Sequence, residues 1–216
     1  RILLRRGWIL LLMAVLTAAA AFVFSKLQTP IYQSTINVLV QPARTDFGLT
    51  QSAKILLRSY VAWMDTDNRA ADVIDAMQLD IVPEALRGNV TIASDDSRFV
   101  IQIDVENENG DLANDIAKKW AELFVQWRND ENQKQRKEDR VDAVILDEPR
   151  YVLDRPKAGI NTVAGGVLGL LLGGVIIFVL EYLDSAIIRA AADIERQFNL
   201  PVLGAIPATE SARKRK

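Results

Sequence analysis

Cysteine and histidine are both missing from the 216 residues. Their absence excludes a zinc finger, a haem-attachment motif, a thiol nucleophile, a disulfide and an imidazole general base within this stretch. A carboxylate-only site for magnesium or calcium is the metal chemistry left open. No Gly-x4-Gly-Lys-Ser/Thr loop occurs, so the phosphate cradle of a P-loop enzyme is absent as well. The acidic pairs point to no catalytic centre. Asp95-Asp96 and Asp65-x-Asp67 read as turn and cap residues, because Asp favours both places. Glu106 and Glu108 read equally well as solvated loop ends. No cofactor is expected. The sequence begins at Arg1 and not at Met, which reads as part of a longer product.

Charge is nearly balanced overall, at −2, but it is missing altogether from two stretches. Gly7 to Ser25 is one run of 19 uncharged positions, bracketed by Arg6 and Lys26, and Ala158 to Leu180 is another of 23, bracketed by Lys157 and Glu181. As helices they would measure about 28 and 34 Å, against a hydrocarbon core of about 30 Å. Val163 to Leu180 contains only Val, Ala, Gly, Leu, Ile and Phe. The first run has a rival reading as a signal peptide, with Ala18-Ala19-Ala20-Ala21 as its small-residue site. The apolar run continues through Phe22-Val23-Phe24, longer than a usual signal core, which favours a retained membrane helix.

Two crossings put both ends on one side. Arg1, Arg5 and Arg6 before the first helix, and Arg213-Lys214-Arg215-Lys216 at the far end, favour the cytoplasm for both. Arg150, Arg155 and Lys157 pull the other way. The expected organisation is a cytoplasmic segment 1–6, a membrane helix 7–25, an extracytoplasmic domain 26–157, a second membrane helix 158–180 and a cytoplasmic tail 181–216. The middle region carries 17 basic and 23 acidic residues. An acidic domain is a poor match for nucleic acid, and none is expected as a partner; the lipid bilayer is.

Within the middle region, Tyr32, Ser34, Ile36, Val38 and Val40 recur at period two and predict a strand ended by Gln41-Pro42. A helix is expected from Thr50 to about Met64. A shorter one, capped by Asp67 or Asn68, carries Ala71, Ile74 and Met77, and Pro83 to Leu86 reads as a single turn. Asn89 to Ala93 and Arg98 to Val105 alternate like paired strands around Ser94-Asp95-Asp96-Ser97. The longest soluble helix starts at Asn109-Gly110-Asp111, with Leu112, Ile116, Trp120, Leu123, Phe124 and Trp127 on one face. Arg128 to Arg140 has no apolar residue and is expected to fray into water or meet a polar partner. Val141, Ala143, Ile145 and Asp147 predict a last strand. The resulting α+β class is a pair of transmembrane helices flanking a small α/β sheet domain with one long helix. The sheet is expected to be mixed, because long helical connections allow parallel neighbours.

Two further features stand out. Gly165, Gly169 and Gly173 lie four apart in the second apolar run, beside Gly166 and Gly174, and Ala14, Ala18 and Ala21 offer small residues in the first. This spacing predicts close helix packing in lipid, within or between chains. Pro149 and Pro156 flank Tyr151-Val152-Leu153 and predict an extended, semi-rigid connector, or a loop that merely avoids helix.

In this order the parts resemble the polysaccharide co-polymerases, the Wzz-type chain-length determinant proteins. The resemblance rests on two membrane helices around an outer α/β domain, Tyr32-Gln33-Ser34 opening the first strand, and the Pro149…Arg155-Pro156 run into the Gly-rich helix. The stretch from Glu181-Tyr182-Leu183-Asp184 to Leu200-Pro201-Val202-Leu203-Gly204-Ala205-Ile206-Pro207 is similar to the segment that often precedes a tyrosine-kinase domain. The resemblance implies a non-enzymatic regulator of surface polysaccharide polymerisation or export and of chain length. It implies a homo-oligomer in the bacterial cytoplasmic membrane, working beside a polymerase or export machinery, with a cytoplasmic tyrosine kinase as a further partner. The middle region is too short for the long helical hairpin of many relatives, so the short, kinase-adaptor form is the nearer match. In the implied ring, Trp120, Phe124 and Trp127 form an oligomer face above the glycine-packed helices. The alternative is a structural two-helix subunit of another envelope or secretion complex.

Overall fold

The computed structural model describes residues 2–43 and 47–185, which fall into two units: Phe24–Ala158, and the helical segments on either side of it. The helical unit is built from α1 (Ile2–Leu27) and α6 (Ala158–Ser185). Arg6–Leu27 and Ala158–Asp184 are each long and apolar enough to cross a membrane. α1 outruns its uncharged stretch at both ends and α6 at its C-terminal end, since a helical backbone continues as readily through Arg6 or Glu181 as through leucine. Leu11, Leu16, Val163, Leu171 and Phe178 are all exposed, so both helices are apolar well beyond the face they share. A helix apolar all round belongs in a large core or in lipid.

The other unit is a two-layer α+β domain. Its strands are β1 (Ile31–Pro42), β2 (Val90–Asp95), β3 (Val100–Asn107), β4 (Val141–Ile145) and β5 (Arg150–Arg155). Its helices are α2 (Phe47–Met64), α3 (Asp67–Met77), α4 (Pro83–Gly88) and α5 (Gly110–Gln133). The sheet runs β2-β3-β1-β4, and β5 also pairs with β1. The 12-residue β1 is long enough to hold two strands on one edge: β4 lies against Val38–Pro42 and β5 against Ile31–Thr35.

Every pairing is antiparallel, which corrects the expectation of a mixed sheet. The long helical connections do join strands of the same direction, β1 to β2 and β3 to β4. In each case an antiparallel strand sits between the two, β3 in the first and β1 in the second. This is the split β-α-β arrangement of ferredoxin-like folds, with β5 added.

One face of the sheet carries the core. Ile36, Val38 and Val40 of β1 and Ile101, Ile103 and Val105 of β3 are buried against Ile116, Trp120 and Phe124 of α5 and Leu57 and Met64 of α2. Asn109 caps α5 by accepting the N–H groups of Asp111 and Leu112 at 3.0 and 3.3 Å, as its sequence position predicts. The cap of α3 is Thr66, one residue earlier than expected. The β2–β3 turn is also shifted: β2 continues through Asp95 because that carboxylate, by accepting the Ser97 and Arg98 N–H groups, makes the turn itself.

Candidate functional site

The apolar face of α5 does not stop at Trp127. Phe124, Arg128 and Asn132 continue it at four-residue spacing, and both polar side chains are buried. The expectation that Arg128 to Arg140 frays into water or meets a polar partner is thus corrected at Arg128 and Asn132, which are buried in their own domain. Asn132 Nδ2 donates to the Val141 carbonyl and to Asp142 Oδ1, each at 3.0 Å, while Asn132 Oδ1 accepts the Val141 N–H at 3.1 Å. Arg128 Nη2 donates to Asn132 Oδ1 and to the Val141 carbonyl, both at 3.0 Å. The first residue of β4 is therefore clamped by the end of α5. Residue-type reasoning passed over this pair because it classed Arg and Asn as solvent residues; the helical spacing from Phe124 was the signal.

Aromatic rings surround the clamp. Trp127 stacks on Trp63 at 4.1 Å and meets Tyr60 edge-on at 5.8 Å, and the Arg128 guanidinium lies 4.9 Å from the Tyr60 ring centre. Burial pushes the Tyr60 hydroxyl above its ordinary pKa, a rise opposed by the nearby Arg128 cation. Trp120 and Phe124 are 2% and 1% exposed. They are occupied by their own domain's core, and only Trp127 of the expected oligomer face stays half-buried.

The proline-flanked segment is a strand. Pro149 is buried, Arg150–Arg155 pairs with β1 as β5, and Pro156 follows it. Tyr151 packs edge-on against Tyr32 at 5.4 Å and covers the start of α5. A Cβ on Gly110 would stand 2.5 Å from the Tyr151 ring, so only glycine admits this approach. Members of the acidic pairs are engaged in ion pairs. Asp65 and Asp67 pair with Arg87 at 2.7 and 3.4 Å, Asp96 with Arg58 at 2.9 Å, and Glu106 with Arg155. Among the described residues no group of three or more acidic side chains could hold a metal ion.

In the helical unit α1 and α6 run antiparallel, with the three glycines on the shared seam. A Cβ on Gly165 would stand 2.7 Å from Ala21 Cβ and 3.4 Å from Ala18 Cα. On Gly169 it would stand 2.5 Å from the Met13 carbonyl oxygen and 2.7 Å from Ala14 Cα, and on Gly173 3.1 Å from Leu10 Cα. The structure thus brings Gly165 against Ala18 and Gly169 against Ala14 within one chain, while Gly173 meets Leu10 and Met13 instead of an alanine. Thr17, absent from the sequence expectation, sits beside Gly169 and satisfies its hydroxyl on the Met13 carbonyl at 2.7 Å. At the far end of the seam Arg6 pairs with Asp184, and with Glu181 at 3.6 Å.

Two closely packed helices, each long and apolar enough to cross a membrane, with an α+β domain between them in the sequence define the class. Residues 1–78, which run from α1 through α3, match the model of the chain length determinant protein, Wzz. It is similar over nearly its whole length to two curated proteins. It is 26% identical to the probable capsular polysaccharide biosynthesis protein YwqC of Bacillus subtilis, covering 95% of this chain and 84% of that protein. It is 25% identical to the capsular polysaccharide biosynthesis protein CpsC of Streptococcus pneumoniae, covering 96% and 91%.

Proposed function

We propose that this chain is a non-enzymatic membrane regulator of the polymerisation or export of a surface polysaccharide, and that it sets the length of the glycan. The observation that carries this reading is the similarity across the chain to two capsular polysaccharide biosynthesis proteins, together with the chain length determinant match over residues 1–78. In this reading α1 and α6 cross the bacterial cytoplasmic membrane, residues 26–157 stand outside it, and segments 1–6 and 181–216 lie in the cytoplasm. Arg1, Arg5 and Arg6 ahead of the first helix support that orientation. The chain works as a homo-oligomer beside a polymerase or export machinery. The segment from Ile187 to Pro207, which lies outside the described residues, docks a cytoplasmic tyrosine kinase.

The test is a gel of surface polysaccharide from a strain lacking the gene and from the same strain carrying it on a plasmid. The expected result is loss of the modal length and its return on complementation. An unchanged length distribution overturns the reading and favours a structural subunit of another envelope complex. Deleting Ile187 to Pro207 separates the kinase reading: the proposal expects co-purification of the kinase to be lost while the protein stays in the membrane. Undiminished co-purification removes that partner surface.

A further inference from the structure

Beside the α5–β4 clamp lies a cavity of about 600 Å³, within the roughly 300–1,000 Å³ span of small-molecule sites. Its wall includes Tyr60, Trp127, Arg128, Glu131, Arg136 and Asp139. Arg128 is 3% exposed, and its Nε is buried without a hydrogen-bond partner. Both bonds the guanidinium makes start from Nη2, and both end on neutral oxygens. No carboxylate pairs with Arg128 among the described residues; the faces of Tyr60 and Trp127, 4.9 and 5.3 Å away, are what else attends its charge. Glu131, about one turn on along the helix and in the same wall, is committed to Lys134 at 2.6 Å. A buried cation held only by neutral oxygens and ring faces is poorly compensated, and an anion entering the cavity would complete it.

The rest of the wall narrows the anion's chemistry. Aromatic rings offer flat apolar surface, while Glu131, Arg136 and Asp139 are planar polar groups able to pair with neighbouring hydroxyls. A ligand with a carboxylate, an apolar ring face and several hydroxyls matches all three. We propose that this cavity binds an acidic, uronate-type sugar residue of the glycan, its carboxylate directed to Arg128 and Arg136 and its ring lying along Trp127. The proposal rests on the polysaccharide role above and adds the class of sugar that the domain recognises.

The test uses the full chain in detergent micelles or nanodiscs, titrated with a glucuronate-containing tetrasaccharide, with neutral maltotetraose and with a short poly-glutamate peptide, followed by calorimetry and tryptophan fluorescence. Saturable binding of the uronate probe is expected, with the other two at least about tenfold weaker. Arg136→Ala, at an exposed position, should weaken uronate binding about tenfold without affecting folding, since one charge-assisted bond is worth about that much. Arg128→Lys keeps the charge but loses the planar fork and should weaken it as well. Three results overturn the site: no saturable uronate binding, equal binding of maltotetraose, or unchanged affinity in Arg136→Ala. Preferential binding of poly-glutamate also overturns it and identifies a surface for an acidic protein segment. Loss of modal length in the strain lacking the gene, together with no uronate binding by the purified protein, would remove this site and leave the polysaccharide role standing.

Discussion

Asn132 grips both backbone groups of Val141, accepting its N–H at 3.1 Å and donating to its carbonyl at 3.0 Å. A side-chain amide thereby supplies, from the end of a helix, the bond pair that a neighbouring strand would supply to the start of β4. Val141 faces Pro42 of β1 in a non-hydrogen-bonded pair of the ladder, flanked by the bond from the Ala43 N–H to the Arg140 carbonyl at 2.9 Å, so its own N–H and carbonyl point away from β1 and the amide takes them up. Asn132→Ala should leave the buried Val141 N–H unpaired and take from Arg128 one of its two acceptors, lowering unfolding stability by about 1–3 kcal/mol. Urea titration of the purified full chain, followed by near-UV circular dichroism, measures this. A midpoint equal to that of the wild type would show that water replaces the amide without loss.

Much of the core was legible because it obeys simple periods. Ile36, Val38 and Val40 alternate along β1, and Ile116, Trp120 and Phe124 recur along α5, so their burial followed from spacing alone. Three things were not legible, each for a physical reason. Strand direction depends on which strand intervenes between the two that a helix joins, and that is a property of the whole sheet. β5 was read as a connector because Arg150–Arg155 has prolines on both sides and little alternation; its pairing with β1 and the Tyr151–Gly110 contact are long-range. The Arg128–Asn132 clamp was hidden because polarity was taken to mean exposure, although the spacing from Phe124 continued the buried face. The same long-range logic turned Trp120 and Phe124 from an expected oligomer face into core. The glycine seam needed only the four-residue step, while its partner helix and the place of Thr17 needed the structure.

The seam makes a sharp prediction at Gly169. A side chain there would meet the Met13 carbonyl at 2.5 Å and Ala14 Cα at 2.7 Å, both parts of a backbone that cannot turn aside. Gly169→Leu should force α1 and α6 apart, at a cost of about 1–3 kcal/mol, as overpacking does in tight interiors. Gly174, where a Cβ would find open space, is the control position for Gly174→Leu. Spin labels on the exposed positions Leu12 and Leu172 would report the separation in nanodiscs. A longer, broader distance distribution is expected for Gly169→Leu and none of this for Gly174→Leu. Identical distributions in both variants would show that the seam does not hold the helices together.

Asp95 offers a prediction tied to pH. Its carboxylate accepts first from the Ser97 hydroxyl and then from Arg98, whose Nε lies 2.6 Å away, and it also takes the N–H groups of Ser97 and Arg98 at 2.9 and 3.2 Å. These donors favour the charged form and hold the carboxyl well below the usual carboxylate range. A depressed folded-state pKa stabilises the fold above the unfolded value of about 3.9 and loses that contribution as pH falls toward the folded value. Asp95→Asn removes the titrating group while keeping the turn-forming side-chain oxygen. Its melting temperature should lie below that of the wild type at pH 7, with the gap widest in low salt because the turn is exposed. The gap should begin to close near pH 4 and go on shrinking as acid protonates the wild-type carboxyl. Thermal melts of the two proteins at pH 7, 5, 4 and 3 check this, and a gap that stays constant over that range would assign the loss to the amide's geometry and not to charge.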